Sequence, residues 1–205
     1  MTRAQADRYV KALFDAAPAH AGAFGFRHKY AHTQRVVHWA NRLLRTERAD
    51  AEVLLMAATF HDVGYTVSPD NHPAHGAEIC EKYLLGHGFD AAFTSRVADC
   101  VRRHDDKALL DDPGTPMELI LLIEADCLDE TGAMSILRDA LALGARGGDY
   151  RQVYDRLLER SIFRVPDRFP CATKTARNIW RNKQQFYFTF VKNLAEDLGE
   201  MGGTR

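Results

Sequence analysis

The sequence predicts an all-α protein, a single-domain helical bundle, on three observations. Apolar residues recur at three- and four-residue intervals along most of the chain, no stretch alternates with period two, and helix start and stop residues fall at the edges of the apolar runs. The 205 residues are 46% hydrophobic and 27% charged, which suits one folded domain with a full core. No repeat and no linker-like stretch divides them. The expected layout is one domain over residues 1–205, with a core at about 26–130 and C-terminal helices at about 131–198 packed on it.

Each element has a local reason. Val36, Val37, Ala40, Leu43 and Leu44 place one apolar face on a helix over residues 34–44. The next helix takes Asp50 as N-cap, runs through Val53, Leu54, Ala57, Ala58 and Phe60, and stops at Gly64, so His61 and Asp62 fall on its last turn. His72-Pro73 reads as a cap followed by a first-turn proline, opening a helix that stops at residues 86–88. Asp90 caps a helix ending near His104, and "GTP" at residues 114–116 starts another that carries Asp126. Further helices are expected at residues 133–143, 150–161 and 173–198. Residues 64–72 and 105–115, rich in Asp, Pro and Gly, are the loops expected to carry function.

Composition excludes several classes. A formal net charge of -1 and a pI near 6.8 give no general attraction to polyanions, so no nucleic acid is expected as partner. No apolar run approaches the roughly 20 residues that span a bilayer, and the N-terminus carries charges throughout, which points to a soluble, cytoplasmic chain. Cys80, Cys100, Cys127 and Cys171 are widely spaced with no CxxC pair, and reduced thiols are the simplest reading.

The chemistry starts at "TFHDVGYT", residues 59–66, where His61 and Asp62 follow a greasy segment. Alone, the pair reads equally well as a core histidine beside a capping aspartate. Neighbours on a helix diverge by about 100°, close to the angle between adjacent ligands of an octahedral ion. Asp126 lies in the apolar run "LILLIEADCLDE", where an unpaired carboxylate is costly, and His32 lies beside the helix "TQRVVHWANRLL". One divalent cation held by His32, His61, Asp62 and Asp126 accounts for all four placements. Mixed imidazole and carboxylate donors suit Mn, Mg, Ni, Fe, Co or Zn.

The order H…HD…D in "AHTQRVVHWA", "MAATFHDVGYT" and "IEADCLDETGA", with the "HPAHGAEI" segment, resembles the HD-domain superfamily of helical metal-dependent phosphohydrolases. The resemblance covers roughly residues 26–198. "EADCLDETGAMSILRDAL" and "TKTARNIWRNKQQFYFTFVKNL" are similar to a subgroup of small bacterial HD hydrolases that includes nucleotide pyrophosphohydrolases. Glu124 departs from that subgroup, whose corresponding motif usually reads DAD.

The resemblance implies a phosphohydrolase acting on a nucleotide or related phosphate ester through a metal-activated water. Asp62 and His104 are the expected catalytic residues, His104 as general acid or phosphate contact against the alternative of a helix-end histidine. Arg35, one turn beyond His32, is an expected phosphate contact, as is His72, whose alternative is an N-cap; His75 ranks below it. Arg138 and Lys174 complete the expected substrate contacts, although Lys174, Arg177 and Arg181 equally form a solvated basic stripe. Asp105 and Lys107 are candidates for the pocket mouth, and His20, His28, His38 and His87 are expected to be structural. The expected partner is a small phosphorylated molecule, with a homodimer left open. Two alternatives stand: a dinuclear iron oxygenase with further ligands among His72, His75 and His104, and a non-catalytic nucleotide sensor.

Overall fold

Helices dominate because nearly every apolar run is long enough for three or more turns and is punctuated by capping residues. In the computed structural model, residues 2–18, 28–159 and 171–199 are described, and among them there are α-helices, two 3-10 turns and no strand. The helices are α1 (Arg3–Ala16), α2 (Lys29–Leu43), α3 (Ala51–Phe60), α4 (His72–Gly86), α5 (Ala91–Arg103), α6 (Met117–Asp129), α7 (Ala133–Gly144), α8 (Tyr150–Glu159) and α9 (Lys174–Asp197). The protein is all-α, as the periodicity predicts.

Several caps are where the sequence places them. Asp50 accepts from the backbone N–H groups of Glu52 and Val53 at 3.1 and 3.3 Å, and Asp90 from Phe93 at 2.9 Å; Thr173, expected as the first residue of the last helix, instead caps it by accepting from Ala176 at 3.1 Å. Two boundaries differ. His72 is the first residue of α4 and not its cap; Asn71 caps it in the left-handed region with φ 55°, which an asparagine tolerates and a histidine less readily. α3 ends at Phe60, so His61 and Asp62 sit in the bend just past the helix, before a 3-10 turn at Val63–Thr66. Residue 161, where the eighth helix is expected to end, lies outside the described residues.

The chain divides into two compact units, Met1–Asp129 and Glu130–Arg205. In the first, α3 is apolar nearly all round, with Val53, Leu54, Met56, Ala57, Ala58, Thr59 and Phe60 buried. A helix of that kind belongs at the centre, and α3 packs on α2, α5 and α6. Its C-terminal end therefore opens into the middle of the unit, which is where His61 emerges. In the second unit α7, α8 and α9 pack on a small core of Ile136, Leu157 and Tyr187, and the Tyr187 hydroxyl donates to the Leu157 carbonyl at 2.8 Å. No helix among the described residues is long and apolar enough to cross a membrane. All four cysteines are unbridged.

Candidate metal centre

Two histidines are presented by the same local device. His61 and His104 each follow the last residue of a helix, α3 and α5, and each donates its Nδ1–H to the carbonyl three residues back, Ala58 at 2.9 Å and Val101 at 2.7 Å. A carbonyl only accepts, so each ring carries a proton on Nδ1, and in a neutral ring Nε2 then keeps a bare lone pair. His61 is fully buried, and burial pulls it down to about 4, so its ring is neutral.

His32 comes from the first turn of α2. Its Nε2 lies 3.3 Å from His61 Nε2, 3.1 Å from Asp126 Oδ1 and 3.5 Å from Asp62 Oδ2. Asp62 Oδ2 is also 3.7 Å from His61 Nε2. Two ring nitrogens and two carboxylates thus converge from α2, the end of α3 and α6. Ligands about 2.1 Å from an octahedral ion stand about 3 Å apart, and this donor set fits one small divalent cation.

The electrostatics fit as well. Burial opposes charge on His32, yet hydrogen bonds to Asp126 and Asp129 outweigh it and push the ring up to about 10. Burial likewise works to raise Asp62 and Asp126, but the surrounding histidines and lysines hold both carboxyls well below the usual carboxylate range. Positive charge is what the cluster lacks, and a proton on His32 is its substitute.

A second group adjoins the first through Asp62. Asp62 Oδ1 faces His72 Nε2 at 3.5 Å and His104 Nε2 at 3.7 Å, and these three residues also satisfy the spacing for a metal site. His104 is buried, while His72 is partly exposed and stacks on Tyr65 with ring centroids 4.0 Å apart. His75 belongs to neither group.

Residues 30–131 match the family model described as HD domain, and His32, His61, Asp62 and Asp126 all lie within that span. The chain belongs to the HD-domain family. Its match to the Bacillus subtilis protein YpgQ is 27% identical over 177 residues, covering 83% of this chain and 84% of YpgQ. A solved structure described as a predicted HD superfamily hydrolase, from an uncultured Thermotogales bacterium, is 25% identical with a TM-score of 0.65, covering 97% and 92% of the two chains. The structure of B. subtilis YpgQ in complex with ADP superposes with a TM-score of 0.66 at 22% identity, covering 97% of this chain and 99% of that one.

Four charged residues, Asp129, Arg35, Lys107 and Lys29, stand around the cluster. Asp129, buried, lies 2.7 Å from His32 Nδ1 and is gripped by Arg35 Nε and Nη2 at 2.7 and 2.9 Å. Two donors of Arg35, an expected phosphate contact, serve Asp129. Lys107 Nζ lies 3.2 Å from Asp126 Oδ2 and Lys29 Nζ 2.9 Å from Asp62 Oδ2. Asp129 and Lys29 do not stand out in the sequence, although Asp126 and Asp129 are three residues apart and so share a helix face.

Other residues singled out in the sequence have local settings of their own. Glu124 is fully buried on α6. Arg138 and Lys174 belong to the second unit, where Arg138 Nη1 is 3.2 Å from Glu130 Oε1 and Lys174 opens α9 with an exposed side chain. His87 bonds the Tyr83 carbonyl at 2.6 Å and His38 is exposed, while residue 20 is outside the described set.

Proposed function

We propose that the protein is a divalent-metal-dependent phosphohydrolase acting on a nucleotide or a related phosphate ester. The observation that carries this reading is the convergence of His32, His61, Asp62 and Asp126 from three segments of an HD domain, with His61 Nε2 left bare. A divalent cation there supplies Lewis acidity and lowers the pKa of water toward ~7. The chain's own residues orient and move protons around it. His104, its Nε2 3.7 Å from Asp62 Oδ1, would pass a proton to the leaving oxygen. His72, on the same carboxylate oxygen but partly exposed, is placed to meet the phosphate. The ADP bound to YpgQ supports a nucleotide as the substrate class.

The test is a screen of phosphorylated metabolites with Mn²⁺, Mg²⁺, Ni²⁺ or Co²⁺, reading phosphate and pyrophosphate separately. Asp62→Ala is expected to abolish release while circular dichroism stays helical; equal turnover in variant and parent would sink the proposal.

One observation favours a second reading, a dinuclear iron oxygenase: two groups have ligand spacing, His32, His61 and Asp126 in one and Asp62, His72 and His104 in the other. Elemental analysis of protein prepared without oxygen separates the two. Two irons per chain with no phosphate release in the screen would favour the oxygenase.

A further inference from the structure

Two lysines meet the cluster's carboxylates, and they choose different oxygens. Lys107 holds Asp126 by Oδ2 at 3.2 Å, whereas Asp126 Oδ1 is the oxygen 3.1 Å from His32 Nε2. It braces the carboxylate from behind and leaves the inward oxygen alone. Lys29 does the opposite: its Nζ is 2.9 Å from Asp62 Oδ2, the oxygen that lies 3.5 and 3.7 Å from the Nε2 atoms of His32 and His61. The ammonium is thus bonded to an oxygen that faces the Nε2 atoms of both rings.

A divalent cation and an ammonium sharing that oxygen repel each other strongly at such separations in a partly buried site. Lys29 has somewhere to go. It opens α2, its side chain is 39% exposed, and its Nζ already lies 3.6 Å from the centroid of the Tyr65 ring, a face that attracts a cation without any carboxylate. Tyr65 in turn is stacked on His72. The released ammonium would rest between the cation ligands and the partly exposed His72, at the edge where an anion has access.

We infer that Lys29 is a substrate-phosphate donor held on Asp62 until a divalent cation takes Asp62 Oδ2, so that cation binding completes the site and frees the ammonium for the anion in one step. Lys107, bonded to an outward oxygen, has no such exchange to make. The inference rests on the cation site proposed above. It deepens that reading in two ways: it orders the binding, cation before phosphate, and it names the residue that favours an anionic over a neutral ester.

The experiment is calorimetric titration of Mn²⁺ into metal-free parent, Lys29→Met, Lys29→Gln and Lys29→Arg, followed by inorganic phosphate into each Mn²⁺-loaded protein. Removing the ammonium is expected to tighten Mn²⁺ severalfold and to weaken phosphate by about tenfold, the size of one charge-assisted hydrogen bond. Lys29→Arg is expected to recover phosphate binding. Lys29→Gln keeps a polar side chain of similar reach and gives the same two signs should Lys29→Met fold poorly. Weaker or unchanged Mn²⁺ binding in the neutral variants, or unchanged phosphate binding, overturns the assignment of Lys29 and leaves the phosphohydrolase reading standing. A parent that binds no Mn²⁺ overturns both.

Discussion

His32 Nδ1 lies 2.7 Å from Asp129 Oδ2, and Arg35 grips the same carboxylate from one turn further along α2. Two residues three apart on α2 therefore clasp two residues three apart on α6, His32 and Arg35 against Asp126 and Asp129. Burial works to raise the Asp129 carboxyl, but hydrogen bonds from His32 and Arg35 outweigh it and keep Asp129 ionised, below the usual carboxylate range. An ionised carboxylate only accepts, so it keeps a proton on Nδ1 and turns Nε2 toward His61 and Asp126.

Asp129→Asn is expected to weaken Mn²⁺ binding by roughly 10- to 100-fold while the helices stay intact, because the amide no longer dictates which nitrogen of His32 carries the proton. Calorimetry with Mn²⁺ checks it. Binding as tight as the parent's would show that the Asp129 carboxylate does not orient His32.

The charge on His32 gives a pH dependence with a definite sign. Its folded pKa of about 10 lies above the ordinary histidine value of 6.5. Stability from this group in the metal-free protein is fully present below about pH 6.5 and is lost as pH rises through about 10. Metal must displace the same proton, so Mn²⁺ affinity is expected to rise about tenfold per pH unit within that window. Melting of metal-free and Mn²⁺-loaded protein between pH 6.5 and 10 tests both: the metal-free melting temperature should fall and the gap between the forms should widen.

How much of this was legible in the sequence depends on what each residue answers to. His61, Asp62 and Asp126 could be found because a polar side chain on an apolar segment needs a partner, and that cost is local to the segment. Asp50 and Asp90 could be found because a cap is satisfied within three residues. Lys29 and Asp129 could not, since each looks like ordinary helix surface until α2 crosses α6 and the end of α3. The same holds for the Arg35 ion pair: its spacing from His32 is readable, but its carboxylate partner is 94 residues away. The α4 cap was missed by one position because a left-handed Asn71 leaves no periodic signal.

His104 is expected to matter for rate more than for binding. His104→Asn keeps a polar end near Asp62, but removes the ring nitrogen that would pass the proton. Release of phosphate under saturating substrate is expected to drop by about 10²- to 10⁴-fold with little change in KM, and the limb of the pH–rate profile set by the proton donor should disappear. A profile of unchanged shape would leave His104 as a phosphate contact or a helix-end residue.

Gly64 sits where two backbones nearly touch. A methyl group on it would overlap the His72 carbonyl oxygen and stand 2.6 Å from Gly76 N, and backbone atoms of α4 cannot swing aside as a flexible side chain would. The glycine was expected to stop α3; its more demanding task is to let the turn after Asp62 lie against the first turn of α4, which sets His72 beside Asp62. Gly64→Ala is expected to cost about 2–3 kcal/mol, near the upper range for overpacking, and to lower the melting temperature by roughly 5–10 °C. Two controls grade the effect. At Gly76 the nearest added contact is the Val101 Cγ1 methyl at 3.2 Å, so alanine there should cost less, and at Gly86 nothing lies within 4 Å, so alanine in the last turn of α4 should be neutral or slightly stabilising. Thermal unfolding of the three variants in metal-free form gives the order directly. Gly64→Ala melting with the parent would mean that the turn and α4 do not need this contact to stay together.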